Sequence, residues 1–270
     1  MSLVCFSMLA RKGGVGRTTT SLNLAGVWAK DGLRVLVLDL DSQASISRCL
    51  LGSDKVESTH PAETIAALFD ERYEPEPEEV IYQTEFDNLS VVPACDALED
   101  FNITKPEQTG DRQFALKEFL AEVQNDFDLV IMDTGPNTCG LSAWSALATS
   151  HFVLSPVLCD AFGTQSIISV QRLVERVQTT INPSLEILGY FVNMRQKNTV
   201  MESYEQTLRK VHGHMIFSTV LSLAAAYRQT VAERTPLAMK RNNKAAKSVV
   251  ELAQEINDRI CALVESKEAA

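Results

Sequence analysis

The strongest constraint on the fold is a glycine-rich run near the start of the chain. Residues 11–19 read RKGGVGRTT, between the apolar segment 3–9 and the helix-like segment 18–25. Glycine lets successive backbone N–H groups turn towards an anion, and a helix that starts directly afterwards adds the positive end of its dipole. A strand, such a turn and a helix in this order predict a phosphate-binding loop. Its predicted binding residues are Gly13, Gly14, Val15, Gly16, Arg17, Thr18 and Thr19.

Alternating strand and helix patterns along the rest of the chain predict an α/β fold. Short apolar runs, which are typical of strands buried on both faces, occupy 34–38, 89–92, 129–132, 152–154 and 187–192. Helical patterns occupy 113–124, 164–179, 201–211 and 244–265. We expect a mostly parallel, twisted sheet with helices on both faces, of the P-loop NTPase type. We also expect a single domain over residues 1–270, without a separate N-terminal DNA-reading domain.

Composition narrows the class of protein further. The net charge of −10 argues against a surface covered by nucleic acid, although it leaves room for a local basic patch. The six cysteines are scattered without a C-x-x-C pair, which favours reduced thiols in a cytoplasmic protein. No stretch has the length of a transmembrane helix, and the apolar start lacks the features of a signal peptide.

Arg17 is the unusual residue of the loop. A phosphate-binding loop ordinarily has lysine at this position and glycine at the position of Arg11. Arginine keeps the charge and can grip phosphate with two N–H groups, but its guanidinium is larger and planar. Nucleotide binding can therefore survive while the geometry for hydrolysis suffers. Three explanations stay open: a naturally slow or inactive enzyme, an introduced substitution, or a loop adapted to arginine.

Aspartates follow two of the predicted strands. Asp39 and Asp41 end the second strand, two residues apart and therefore on the same side of an extended chain. Asp133 follows four apolar residues, as does the Mg²⁺-binding aspartate of many P-loop proteins. These carboxylates and the Thr18 hydroxyl predict a magnesium site with a water-orienting carboxylate. The open alternative for Asp41 is a helix N-cap.

The loop resembles the deviant Walker A loop of the ParA/MinD group of P-loop ATPases, because Lys12 adds a second basic residue within it. The resemblance to the ParA family extends to segments 39–43, 88–94, 133–136 and 146–157. It implies ATP or ADP with Mg²⁺ as ligands, and a dimer in which Lys12 reaches the partner's nucleotide.

The same resemblance implies individual residue roles. Asp41 would orient the attacking water, Asp39 and Asp133 would serve the magnesium site, and Asn193 would lie near the adenine. Family members usually have proline where this chain has Ser42 and Gly135. Both loops surround the expected γ-phosphate site, so these changes predict a looser switch.

The resemblance also implies non-specific DNA binding by the ATP-bound dimer, and a ParB-type or cargo-adaptor partner that stimulates hydrolysis. It places the protein in the cytoplasm, on the nucleoid. A basic cluster could supply the DNA contacts, although a solvated basic face is the alternative. The arginine that precedes this patch in the family corresponds to Ala226. The cluster consists of Arg228, Arg234, Lys240, Arg241, Lys244 and Lys247.

The resemblance to the ParA family implies a partition ATPase that segregates or positions plasmid or chromosomal DNA or another cargo, and three other functions are alternatives to it. A nucleotide-switched binding module with little hydrolysis follows from Arg17. Membrane cycling of the MinD type is disfavoured, because the tail 249–270 is acidic rather than basic and amphipathic. An iron–sulfur protein of the same fold is suggested by Cys139 and Cys159, but the residues around them match poorly.

Overall fold

The computed structural model describes residues 3–138, 140–240 and 243–268. In this part of the chain eight strands form one sheet in the order β3-β4-β2-β5-β1-β6-β7-β8. All neighbouring strands are parallel except β3 and β4, which are antiparallel. The strands are β1 (Val4–Met8), β2 (Val35–Leu40), β3 (Tyr82–Gln83), β4 (Leu89–Val92), β5 (Leu129–Thr134), β6 (Phe152–Val157), β7 (Glu186–Arg195) and β8 (Ile216–Ser222).

Helices connect the strands and cover the sheet. The longest are α1 (Arg17–Lys30), α7 (Gly163–Thr180), α8 (Thr199–His212) and α11 (Lys244–Glu268). The shorter ones are α2 (Ser45–Leu51), α3 (Ser53–Ser58), α4 (Pro77–Val80), α5 (Ala115–Glu122), α6 (Leu141–Thr149), α9 (Ala225–Glu233) and α10 (Leu237–Lys240). None of the helices in the described ranges is both long enough and apolar enough to cross a membrane.

Side-chain alternation along β2 explains why helices lie on both faces. Val35 and Val37 join a core layer that includes Trp28 of α1 and Leu252 of α11. Leu36 and Leu38 join the opposite layer, together with Phe119 of α5. Because both faces of the central strands are buried, their sequences are continuously apolar rather than alternating. The predicted α/β fold is confirmed.

The outer strands differ from the central ones in sequence. Six predicted strands correspond to β1, β2, β4, β5, β6 and β7, with small differences at their ends. Strand β3 has only two residues, and β8 includes the exposed Ser218 and the half-buried Thr219. Both lie at the edges of the sheet, where one flank is open and a continuous apolar run is not needed. The apolar-run criterion therefore misses them.

Strand register brings the predicted site residues to one edge of the sheet. Strand β5 lies between β1 and β2, so Asp133 is opposite Met8 on one side and Asp39 on the other. The glycine-rich loop follows β1 at the same end. The carboxyl ends of the central strands thus form the cleft in which sheets of this type bind ligands.

Candidate functional site

The glycine-rich loop has the backbone conformation that a phosphate cradle needs. Gly14 and Gly16 have positive φ angles of 72° and 86°. Helix α1 starts directly after Gly16, and no side chain caps its N-terminus. The first N–H groups of a helix lack intrahelical partners, so they are available to an anion here. A Cβ at Gly16 would lie 2.4 Å from Nδ2 of Asn193, so this position excludes larger residues.

Asn193, near the end of β7, is hydrogen-bonded to the glycine-rich loop. Its Nδ2 donates to the carbonyl of Val15 at 2.8 Å, and its Oδ1 accepts from the N–H of Met194 at 2.9 Å. Asn193 is buried and also lines a cavity of about 310 Å³ beside Gly16 and Thr19. This contact joins the end of β7 to the loop. The position of Asn193 near a nucleotide base remains a prediction.

The guanidinium of Arg17 folds back onto its own loop. Its Nη1 donates to the carbonyl of Ala10 and, at 3.1 Å, to the carbonyl of Lys12. The side chain is 7% exposed, and its buried Nε donates to no group of the described chain. Burial lowers the pKa of Arg17, while the charges of Asp133 and Asp41 oppose that shift. The loop's own carbonyls therefore engage the charge that a phosphate would use.

Asp133 offers a free oxygen for a cation. Its Oδ1 accepts from the Ser21 hydroxyl at 2.7 Å, and the hydroxyl of Thr18 is close enough to lower the pKa of the same carboxyl. Its Oδ2 is buried without a partner in the described chain. Burial raises the pKa of Asp133 to about 6, although Ser21, Thr18 and Arg17 favour its ionised form. An orphaned carboxylate oxygen beside a threonine hydroxyl fits Mg²⁺, which prefers oxygen ligands.

Both oxygens of Asp39 are already engaged by this chain. Oδ2 accepts from the N–H and the hydroxyl of Ser47 at 3.0 and 2.6 Å, and Oδ1 accepts from the N–H of Asp41 at 3.2 Å. Burial and the neighbouring charge of Asp133 raise the pKa of Asp39 to about 7. These bonds fix the start of the Asp41 loop and the first turn of α2. A direct magnesium role for Asp39 remains a prediction.

Asp41 faces the loop that follows β5. A Cβ at Gly135 would lie 3.3 Å from Cγ of Asp41, so the two loops are in close contact. Oδ1 of Asp41 accepts from the N–H of Gln43 at 3.1 Å. Helix α2 starts at Ser45 with Ala44 as its N-cap. The alternative interpretation of Asp41 as the helix N-cap is therefore wrong, and its carboxylate is available to the site.

Lys12 turns away from the cradle of its own loop. Its Nζ forms an ion pair with Oδ2 of Asp160 at 2.7 Å and lies 5.8 Å from the ring centroid of Phe162. Asp160 and Phe162 lie between β6 and α7, and Phe162 is 65% exposed. The lysine and an exposed aromatic ring thus share one surface beside the loop.

Comparison with known proteins identifies the family. The family model described as "AAA domain" matches residues 4–187. The chromosome-partitioning ATPase Soj of Treponema pallidum is 27% identical over 248 residues, which cover 91% of this chain and 94% of that protein. The chain belongs to the ParA family of P-loop ATPases.

Solved structures share the fold. A putative plasmid partition protein of Borrelia burgdorferi B31 bound to AMPPNP has a TM-score of 0.78 at 20% identity, covering 96% of this chain and 98% of that one. Cobyrinic acid a,c-diamide synthase of Mycobacterium smegmatis with bound ATP analog and magnesium has a TM-score of 0.78 at 23% identity, covering 93% of each chain. At these identities the likeness establishes the fold of this ParA family member.

The cavity beside Gly16 is lined from two directions. Asn193 and Met194 of β7 form one wall, and residues of and before α9 form the other. Arg228, which the sequence placed in the DNA-binding cluster, belongs to that second wall and is exposed. The hydroxyl of Tyr227, also in this wall, lies 3.5 Å from the carbonyl of Ala245 near the start of α11. A cavity of this size next to the cradle can accept a nucleotide base.

The other basic residues of the cluster that the structure describes are exposed but lie in mixed surroundings. Arg234 approaches the junction of α2 and α3, because a Cβ at Gly52 would lie 2.5 Å from its Nη1. Lys247 borders a groove that also contains Asp31 and Glu251. Lys240 and Lys244 are exposed on either side of residues 241–242, and Arg241 lies outside the described residues. The DNA-binding role of this cluster remains a prediction.

The cysteine positions bear on the iron–sulfur alternative. Cys159 is buried in the core under α7, and burial raises its pKa to about 11. Cluster ligation requires a thiolate, which these surroundings disfavour. Cys139 lies outside the described residues. The described cysteines, all free thiols, are Cys5, Cys49, Cys95, Cys159 and Cys261.

Sequence reasoning missed three residues that organise the site. Ser21 holds Asp133, Ser47 holds Asp39, and Asp160 holds Lys12. Helical spacing could have found Ser21, since it lies three residues after Thr18 on the same face of α1. Asp160 follows a predicted strand on the side of the sheet where ligands bind, which is a weaker signal.

Proposed function

We propose that this chain is an ATP- and Mg²⁺-dependent partition ATPase, whose nucleotide-bound dimer binds DNA non-specifically and positions plasmid or chromosomal DNA, or another cargo. The phosphate cradle carries the proposal: left-handed glycines and the open start of α1 lie beside a buried, unpartnered oxygen of Asp133. The names of the Soj relative and of the plasmid partition neighbour support the type of process.

ATP or ADP binds with its phosphates against residues 13–19 and its base in the cavity bordered by Asn193. Thr18 and Asp133 hold Mg²⁺, which when bound neutralises charge on the phosphate oxygens. Asp41 orients the attacking water, since its carboxylate faces the loop after β5. Asp39 accepts a hydrogen bond from the N–H of Asp41 and so holds the first residue of that loop in place. Each of these roles uses a side chain at the carboxyl ends of β1, β2, β5 or β7.

Dimerisation uses the surface that carries Lys12 and Phe162. In the free chain Lys12 is neutralised by Asp160, and in the dimer it exchanges that partner for the other subunit's nucleotide. Phe162 contributes apolar area to the same surface, since its ring is 65% exposed. The dimer thus depends on ATP, because the incoming phosphates attract Lys12 away from Asp160.

DNA binding uses the exposed basic residues near α10 and α11. Contacts to DNA phosphates give an affinity that is independent of base sequence and falls with salt. A ParB-type or cargo-adaptor partner stimulates hydrolysis and thereby releases the DNA. The chain is a single ATPase domain, and it acts in the cytoplasm, on the nucleoid. The family resemblance supports this partner. The DNA-binding residues are Arg228, Arg234, Lys240, Arg241, Lys244 and Lys247.

Arg17 favours a second candidate function. Its guanidinium is bound to carbonyls of its own loop, and it cannot place a compact ammonium between phosphates as lysine does. A chain with this residue would bind ATP, dimerise and bind DNA without useful hydrolysis. In that case it would be a nucleotide-switched binding module.

The test measures ATP affinity with and without Mg²⁺, the oligomeric state in ATP and in ADP by analytical ultracentrifugation, and DNA binding at several salt concentrations. We expect tight Mg²⁺-dependent ATP binding, and ATP-specific dimers that Lys12→Ala abolishes. Lys117→Ala, which removes an exposed lysine on α5, is the matched control. Charge reversal at Lys240 and Lys244 should abolish DNA binding by the dimer.

Each result has a defined meaning. Absence of nucleotide binding would refute both candidate functions. ATP-dependent dimers that hydrolyse no ATP, even with DNA, would favour the switch module. DNA affinity that survives charge reversal at Lys240 and Lys244 would remove that surface from the proposal.

A further inference from the structure

The loop that carries Asp41 has hydrogen bonds of its own, from the N–H of Gln43 to Oδ1 of Asp41 and from the N–H of Ala44 to the carbonyl of Asp41. Ser42 follows Asp41 directly, and the facing loop after β5 starts with Gly135. Serine and glycine leave a backbone more conformational freedom than proline does. Water orientation by a carboxylate requires a fixed position, because misplacement by about 1 Å costs roughly 100-fold in rate. The bonds within the Asp41 loop order that loop but do not join it to the facing loop, so a contact from outside both loops can fix their relative position.

A third segment bonds to both loops. The hydroxyl of Ser42 donates to Oε1 of Glu99 at 3.0 Å. Nδ2 of Asn137, in the loop after β5, donates to Oδ1 of Asn102 at 2.9 Å. Glu99 and Asn102 lie in and directly after the 3-10 helix Asp96–Phe101, so one short segment reaches both loops.

The three segments enclose a single cavity. Its volume is about 240 Å³, and its lining includes Asp41, Ser42, Glu99, Asn102 and Asn137. The space between the Asp41 loop, the loop after β5 and the 3-10 helix segment is therefore not filled by side chains of any of the three. The two hydrogen bonds and the contact between Asp41 and Gly135 connect the three segments around this cavity.

The segment that carries Glu99 and Asn102 is anchored in the core. Leu98 is 4% exposed and belongs to the core layer under α5. The ring of Phe101 packs 6.1 Å from the ring of Phe69, centroid to centroid. Glu99 and Asn102 thus belong to a turn that is anchored by the buried Leu98 and the half-buried Phe101.

We propose that Glu99 and Asn102 are positioning residues that hold the Asp41 loop and the loop after β5 in register for ATP hydrolysis. The proposal rests on the proposed function, since it assigns Asp41 to the attacking water. Hydrogen bonds to a core-anchored turn supply the rigidity that Ser42 and Gly135 do not.

The first test uses hydrogen–deuterium exchange of the free protein. Glu99→Ala should increase amide exchange about three- to tenfold in residues 42–44, because one hydrogen bond that restrains this loop is lost. Glu99→Gln should restore protection, since the amide oxygen still accepts from Ser42. Asp100→Ala, at an exposed neighbouring position, is the control and should change nothing. Unchanged exchange in Glu99→Ala would overturn the proposal.

The second test separates positioning from general stability. In the Arg17→Lys background, Glu99→Ala and Asn102→Ala should each lower kcat by about three- to tenfold without changing ATP affinity, and Glu99→Gln should retain kcat. Ser42→Ala with Glu99→Ala should equal either single variant, because both remove the same bond. Additive effects would overturn the pairing. Failure of every variant to bind ATP would refute the proposed function. The exchange test, which uses the free protein, would still show whether Glu99 restrains residues 42–44.

Discussion

Replacing Arg17 by lysine tests whether arginine limits this ATPase. In the free chain the Arg17 guanidinium donates to the carbonyls of Ala10 and Lys12. The guanidinium has five N–H donors, and a phosphate that binds Nη1 competes with these two carbonyls. Lysine has three donors on one compact nitrogen, which can contact a loop carbonyl and a phosphate together. Arg17→Lys should therefore strengthen ATP binding and increase turnover.

The magnitude follows from the bonds that Arg17 must release. A hydrogen bond from a charged donor contributes about 1.5–3 kcal/mol. Loss of one of them on nucleotide binding weakens affinity about 10- to 100-fold, at about 1.4 kcal/mol per tenfold change. We thus expect Arg17→Lys to lower the dissociation constant for ATP by up to that factor. Turnover should rise about 100-fold or more, as is typical when one donor to the transition state is restored.

The assay combines calorimetric ATP binding with steady-state phosphate release, with and without DNA. Arg11→Lys is the matched control, since it makes the same chemical change at an exposed position of the same loop. Arg17→Ala should bind ATP more weakly than either parent, because it removes the charge. Equal affinity and equal turnover in the wild type and Arg17→Lys would refute the reasoning, and would indicate a loop adapted to arginine.

Three further predictions concern the surrounding residues. Gly16→Ala should abolish ATP binding and lower Tm by several degrees, whereas Gly13→Ala, where a Cβ meets no atom within 4 Å, should leave Tm unchanged. Asp39 has a raised folded-state pKa of about 7, so its contribution to stability declines as pH rises from about 4 to about 7; urea titrations should show that Asp39→Asn lacks this decline. Asp160→Asn removes the ion pair of Lys12 and should strengthen ATP-dependent dimerisation, lowering the dimer dissociation constant about two- to fivefold by ultracentrifugation. An unchanged dissociation constant would contradict this prediction.

Sequence patterns predicted the part of the fold that is buried on both sides. Strands β2 and β5 are continuous apolar runs because helices cover both faces, so the apolar runs alone located them. Strand β8 at the sheet edge was missed, since its outer residues need not be apolar. Short helices such as α9 were also missed, because few of their residues are buried and the apolar period is weak.

The candidate site was predictable where spacing fixes geometry. The positions of Asp39 and Asp133 follow from two parallel strands that end at the same edge. The direction of a long side chain does not follow from spacing. Lys12 bonds to Asp160, and Arg228 lines the cavity beside Gly16, through contacts far apart in sequence. Such contacts depend on which loops the tertiary fold brings together.

Two of the three cationic residues of the loop, Lys12 and Arg17, are engaged before any nucleotide binds. Arg17 is held by carbonyls of the loop, and Lys12 is held by Asp160. Phosphate binding through Nη1 of Arg17 or Nζ of Lys12 must release these bonds, and that cost lowers the apparent affinity of the free chain. The Lys12 pair is half-exposed and weak, whereas the Arg17 bonds are buried and stronger. Under the proposed function, we therefore expect Arg17 to set the threshold for nucleotide binding and Lys12 to set the response to a second subunit.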